Sequence, residues 1–307
     1  MKIVSLLPSA TEIVCALGLE DQLVGVSHDC DWPPELQEDR AVLSAALVSG
    51  EQPSHEIDQT VRERLHQGLS VFHLDEELLA QLSPDIILTQ ELGEICAPSF
   101  DKVQRATRAL HNNVDVISLE PTSLEDVLDT IRVVGNATGH MDRADDLIGR
   151  LRSRIDRVRP RAGLATDRPR TLAIEWLDPL FVGGHWVPEM IELAGGEPMN
   201  VPGDPSEEID WDDVERFDPE AIVVMPCGLS PERTAEELDL LIEHELWPDL
   251  RAVRAERVHV LHGPFYFNRP GPRLVDGLEI LAALLHPEEF GDLELPSDAV
   301  YPVAWPW

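Results

Sequence analysis

Four short runs of the chain concentrate side chains that hold metals or stack on flat ligands. His28, Asp29, Cys30 and Trp32 form the first, and Glu91, Glu94 and Cys96 the second. Glu175, Trp176, Asp178, His185 and Trp186 form the third, and Tyr266, Phe267, Asn268 and Arg273 the last, with Cys227 lying between them. Imidazole and thiolate suit cobalt, iron or zinc. Aromatic rings suit the faces of a flat organic ligand, which a few polar groups then orient. Two kinds of chemistry follow. In one, His28, Cys30, Cys96, Cys227 and His185 hold zinc, iron or an iron–sulfur cluster, with Glu91 or Glu175 as a base, as in a cytoplasmic metal-dependent enzyme or a metallochaperone. In the other, no bond is broken and the runs bind a ligand. Trp32, Trp176, Trp186 and Phe267 would then cover its apolar faces. His28, Asp29, Cys30, Glu91, His185, Tyr266, Asn268 and Arg273, with Ser9 and Thr11 at a helix start, would meet its polar rim. No CxxC or HxxxH spacing is present, so spacing alone does not select a metal. The three loop cysteines are equally accounted for as small buried residues. Cys15, beside Val14 and Ala16, reads as core.

The elements that must position these residues are legible as an alternation. Short β-branched runs at 3–7, 23–26, 71–73, 85–89 and 114–119 read as strands, with helical patterns at 9–17, 61–68 and 100–110 between them. A second series follows, with strands at 171–175, 221–225 and 258–261 and helices at 187–193, 231–242 and 272–285. Alternation of this kind predicts mainly parallel sheets built from βαβ units, whose ligands bind at the carboxyl ends of the strands. The loops after the strands are those that carry the four runs. Ser9 with Glu12 reads as a capping box for the first helix.

Between the two series no strand signal appears. A helix to about Ala137 breaks at Gly139, and a second begins at Met141. Leu147, Ile148, Leu151, Ile155 and Val158 form its apolar stripe, arginines crowd its end, and Pro160 is expected to stop it. The flanking halves also resemble each other. LDEELLAQLSPDIILTQ (74–90) and IDWDDVERFDPEAIVVM (209–225) align at a constant offset of 135 residues (219 − 84; 222 − 87). The predicted fold is α/β: two Rossmann-like lobes with mainly parallel sheets, joined by a long helix. The expected boundaries are 1–121 and 161–290 for the lobes, 122–160 for the connecting helices and 291–307 for an acidic Pro/Trp tail. Trp305 and Trp307 in that tail are expected to fold back onto the body.

With 58 acidic and 24 basic residues the net charge is −34, scattered along the chain. This predicts a solvated acidic surface of the kind that works in high salt, and argues against nucleic acid as a ligand. No apolar run approaches the roughly 20 residues of a membrane-spanning helix. The opening residues read as a strand entering a turn at Pro8, so the expected location is the cytoplasm, with export as the alternative. Four unevenly spaced cysteines imply no disulfide framework.

Residues 3–34, IVSLLPSATEIVCALGLEDQLVGVSHDCDWPP, resemble the opening of the periplasmic cobalamin-binding proteins. The resemblance continues through SPDIILTQ (83–90), PTSL (121–124), EWLDPLFVGGHW (175–186) and FNRPGPR (267–273), to about His286. Those proteins are ABC-transporter substrate-binding proteins whose two lobes are joined by one long helix. The resemblance implies a cobalamin, another corrinoid or a related metal chelate held in a cleft between the lobes, and an ABC permease as partner. A siderophore or heme is the neighbouring expectation. In that family the loop after the second strand offers an aromatic residue to the corrin. Here that loop carries His28-Asp29-Cys30, and Trp32 is the nearest aromatic.

Overall fold

The β-branched runs become strands in a computed structural model that describes residues 1–90 and 114–305. The expected helix over 100–110, together with Glu91, Glu94, Cys96 and Trp307, lies outside the described residues.

The chain divides into two compact units. The first centres on a sheet of β1 (Ile3–Ser5), β2 (Leu23–Val26), β3 (Ala41–Val42), β6 (Ile86–Thr89) and β7 (Asp115–Ser118), in the order β3-β2-β1-β6-β7. Every pairing in it is parallel. Helix α1 (Pro8–Ala16) follows β1, and α2 (Ser54–His66) and α3 (Glu76–Leu82) precede β6. The expected strand near 71–73 is β5 (Phe72–Leu74). It pairs antiparallel with β4 (Ser44–Ala46) in a separate two-stranded sheet.

The second unit holds a seven-stranded sheet. Its parallel centre is β8 (Arg170–Trp176), β12 (Ala221–Val224) and β13 (Val258–Leu261). Short strands β9 (Phe181–Val182), β10 (Glu197–Pro198) and β11 (Glu207–Glu208) extend it on the β8 side, with β10 pairing parallel to β8 itself. On the other side β14 (Val300–Tyr301) runs antiparallel to β13. The tail therefore has structure that its composition did not announce. Trp305 folds back as expected, its ring 6.0 Å from that of Trp247.

The internal repeat holds residue by residue. Helix α3 and the later helix Trp211–Phe217 are each seven residues long and separated by 135 (211 − 76; 217 − 82). Asp75 and Asp210 cap them, accepting the backbone N–H of Leu78 and Asp213. Ser83 and Asp218 end them with φ of 48° and 51°. Each then passes through a proline into a fully buried strand, β6 or β12. The same cap, helix, stop and strand is thus written twice, once per unit.

Helix α4 (Leu124–Thr138) breaks at Gly139, whose φ of +75° favours glycine. Helix α5 (Met141–Ala162) then carries the chain from the first unit, which counts its residues to Gly149, into the second, which counts those from Arg150. Pro160 does not stop α5. It sits one turn from the end, where the single hydrogen bond it forfeits is tolerated. Arg154 binds Asp276 at 2.5 Å and Glu279 at 2.6 Å, tying α5 to the helix Leu274–Leu285.

Three other expectations change. The capping box fails because Pro8, favoured at the first helical position, starts α1 one residue earlier. Leu7 becomes the cap and Ser9 lies inside the first turn. The helix expected over 231–242 splits into Pro231–Ala235 and Asp239–Ile242. The last long helix begins at Leu274 rather than at Pro272. Among the described residues no helix is long and apolar enough to cross a membrane.

Candidate binding faces at the strand ends

At the carboxyl ends of β1 and β2 the sequence supplies small polar residues, and the fold turns them inward. Thr11 Oγ1 lies 2.8 Å from Ser5 Oγ and 3.0 Å from Cys30 Sγ. Ser27 Oγ is 3.2 Å from the same sulfur. Cys30 is 1% exposed, Thr11 0% and Ser9 1%, so all three belong to the interior of this edge. The Cys15 thiol is pushed up to about 12, chiefly by burial, which makes it a poor nucleophile.

The inward-facing cluster pins the loop, and His28 and Trp32 emerge from it. Ser44 Oγ accepts the His28 backbone N–H at 3.1 Å and lies 2.7 Å from Nδ1. The other ring nitrogen, Nε2, lies 3.5 Å from Asp29 Oδ2. The ring also rests against Phe72, centroids 5.4 Å apart. Trp32 is 38% exposed, an accessible aromatic surface on this loop.

The second unit gathers four loops at the carboxyl ends of β8, β12 and β13. The Cys227 N–H donates to the Glu175 carbonyl at 3.0 Å, joining two of them. Asn268 Nδ2 donates to the Met225 carbonyl at 3.2 Å, joining a third. Ser206 Oγ donates to Glu175 Oε2 at 2.5 Å and accepts the Gly184 N–H at 3.2 Å, adding the fourth. Phe265 carries the His262 ring at 3.8 Å, nearly parallel, and the Arg273 guanidinium 4.4 Å from its centroid. Trp176 is half-buried, its indole N–H donating to the Asp178 carbonyl at 3.1 Å.

Some expected contacts are turned into the core instead. Trp186 is 7% exposed, and its buried indole N–H finds a partner in the Phe267 carbonyl at 2.7 Å. Phe267 is itself 0% exposed. Tyr266 is 6% exposed and donates its hydroxyl to Asp298 at 2.7 Å. In their place the structure presents Phe265, His262 and Ser206. The first two lie in the loop after β13, next to FNRPGPR, and that placement was their signal in the sequence. Among the described residues no group of three His, Cys, Asp or Glu side chains is placed to hold a metal ion, so His28, Cys30, Cys227 and His185 do not assemble a centre. A cavity of about 680 Å³ in the second unit is lined by other residues, Arg159, Arg168, Glu189 and Gly203 among them.

Glu175 is half-buried, and the desolvation of its carboxyl raises its pKa against the opposing hydrogen bonds from Ser206 and Gly184. A carboxyl whose folded pKa lies above its unfolded value contributes its full stability below the unfolded pKa. That contribution is lost as pH rises through the folded value. Glu175→Gln keeps an acceptor for Ser206 and removes the titration. As pH rises above the ordinary carboxylate range, in high salt, the wild-type melting temperature should therefore fall more steeply than that of the variant. Parallel melting curves over that rise would contradict it.

Two α/β units linked through one long helix, with aromatic and hydrogen-bonding groups at the strand ends, define a ligand-capturing protein. The chain belongs to the periplasmic binding protein family, whose profile matches residues 3–264. This is a family of substrate-binding proteins of ABC transport, not of enzymes. An uncharacterized ABC transporter substrate-binding lipoprotein, YvrC of Bacillus subtilis strain 168, is 26% identical over 94% of this chain and 81% of its own length. The vitamin B12-binding protein of Vibrio cholerae serotype O1 (strain ATCC 39541 / Classical Ogawa 395 / O395) is 23% identical over 92% of this chain and 88% of its own. Among solved structures, the periplasmic heme-binding protein RhuT from Roseiflexus sp. RS-1 superposes with a TM-score of 0.70 at 22% identity, covering 94% of this chain and 98% of that one.

Proposed function

We propose that this chain captures a flat metal chelate with an oxygen-rich rim, a corrinoid such as cobalamin first and heme second, and delivers it to an ABC permease. The observation that carries this reading is the packing of His262 and Arg273 on Phe265 in the loop after β13, with Trp176 at the end of β8 and His185 in the loop after β9 of the same sheet. A planar ligand gains from apolar faces of this kind, and the polar groups beside them set its orientation. Trp32 is an exposed aromatic residue of the first unit. The ranking of ligands leans on the relatives: the Vibrio cholerae protein is a vitamin B12-binding protein and RhuT a heme-binding protein. The scattered excess of acidic residues supports a working environment of high salt as part of this reading.

Titration of the purified protein with cyanocobalamin, cobinamide, hemin and a ferric siderophore, followed by tryptophan fluorescence and calorimetry, tests the reading. One-to-one binding of cobalamin or cobinamide, tighter than that of the others, is expected. Saturable binding of none of the four would overturn it.

A further inference from the structure

His185 stands where glycine is expected. Its φ of 53° and ψ of −114° are those of the first central residue of a type II′ turn, a position dominated by glycine. Two glycines, Gly183 and Gly184, immediately precede it, yet the residue with the demanding backbone is the histidine. The other described non-glycine residues with positive φ are Ser83, Asp218 and Glu256. Ser83 and Asp218 are ordinary left-handed helix stops. The conformation of His185 is locked from both sides. Its N–H donates to the Asp204 carbonyl at 2.6 Å, and its carbonyl accepts the Gly203 N–H at 2.8 Å. A backbone of this kind on a side-chain-bearing residue is disfavoured, and such residues persist where function holds them.

The ring explains what is being held. It is half-buried and stacks on Trp186 with centroids 5.6 Å apart. Its Nδ1 is buried and has no hydrogen-bond partner. A buried N–H without an acceptor is rarer than a buried lone pair without a donor, so the proton of the neutral ring belongs on Nε2. Burial lowers the pKa of the ring, which keeps it neutral. A nitrogen that carries a proton has no lone pair for a metal.

We propose that His185 is a specificity-determining contact that donates its Nε2–H to an acceptor oxygen on the ligand rim, a role that rests on the ligand-binding reading above and excludes axial ligation of the ligand's metal. The oxygen is an amide carbonyl on a corrinoid or a carboxylate on heme, and the arms of the test separate the two. Wild type, His185→Gly and His185→Gln are compared as full chains, with melting temperatures and with affinities and absorption spectra for aquacobalamin and hemin. His185→Gly, relieved of its backbone constraint, is expected to melt no lower than wild type yet to lose at least about tenfold in affinity, the worth of one hydrogen bond to a buried partner. His185→Gln, which keeps an N–H donor, is expected to stay within about threefold of wild type, with the same spectrum of the bound chelate. Unchanged affinity in His185→Gly, or a cobalt or iron band present in wild type and lost in both variants, overturns the proposal while leaving the ligand-binding reading intact. No binding of either chelate by wild type overturns both.

Discussion

Raising potassium chloride from about 0.1 M to about 3 M should lift the melting temperature by roughly 10 °C, or about 3 kcal/mol for units of this size. The cause is that 24 basic residues offset only part of 58 acidic ones, leaving an excess of 34 negative charges. At about 0.1 M salt, charges some 10 Å apart still repel, and at about 1 M that range shrinks to near 3 Å. Salt also screens the attractive pairs. Arg170 with Asp218 and Arg251 with Glu220 are examples, but partly exposed pairs contribute little individually. The better sheltered Arg154 bridge to Asp276 and Glu279 is screened less. Repulsion is therefore the larger quantity removed. Circular-dichroism melts across the salt range decide the matter. A flat or falling curve would mean that the acidic residues are arranged to be harmless at low salt.

Replacement of Gly184 by alanine should destabilise the second unit by about 3 kcal/mol or more and abolish chelate binding. An added Cβ would stand 2.2 Å from Ser206 N, 2.3 Å from Pro205 C and 2.7 Å from Asp204 O. All three are backbone atoms, so no side chain can swing aside. Relief requires moving the 204–206 turn, which accepts the His185 N–H through Asp204 and binds Glu175 through Ser206. One methyl group thus disturbs the fold and the candidate site together. Gly50→Ala is the control, because nothing lies within 4 Å of its would-be Cβ. Urea denaturation of both variants gives the comparison, and equal stability for Gly184→Ala and wild type would show that the loop is packed differently.

How much of this could be read beforehand depended on the length of the signal. Strands β2 and β13 fall where their β-branched runs do, and the repeat at offset 135 foretold a shared sequence of cap, helix and strand. Strands of two or three residues, such as β3, β4 and β9, are too short to show an alternation. They exist because a neighbouring strand offers hydrogen-bonding groups, which is tertiary information. The site divides in the same way. Its loops were legible, since strand ends in a parallel sheet are where ligands bind. Side-chain direction was not. Trp186 and Phe265 both lie in such loops, and only packing sends the first inward and leaves the second beneath Arg273. Ser206 was hidden because its partner Glu175 lies far away in the chain.

The strand β14 has a bearing on solubility. It covers one edge of β13, and Asp298 and Ala299 beside it hold Tyr266 and His262. Without it the second sheet would present an open edge, the kind of surface on which chains add to one another. Removal of residues 298–305 should therefore yield a protein prone to aggregate.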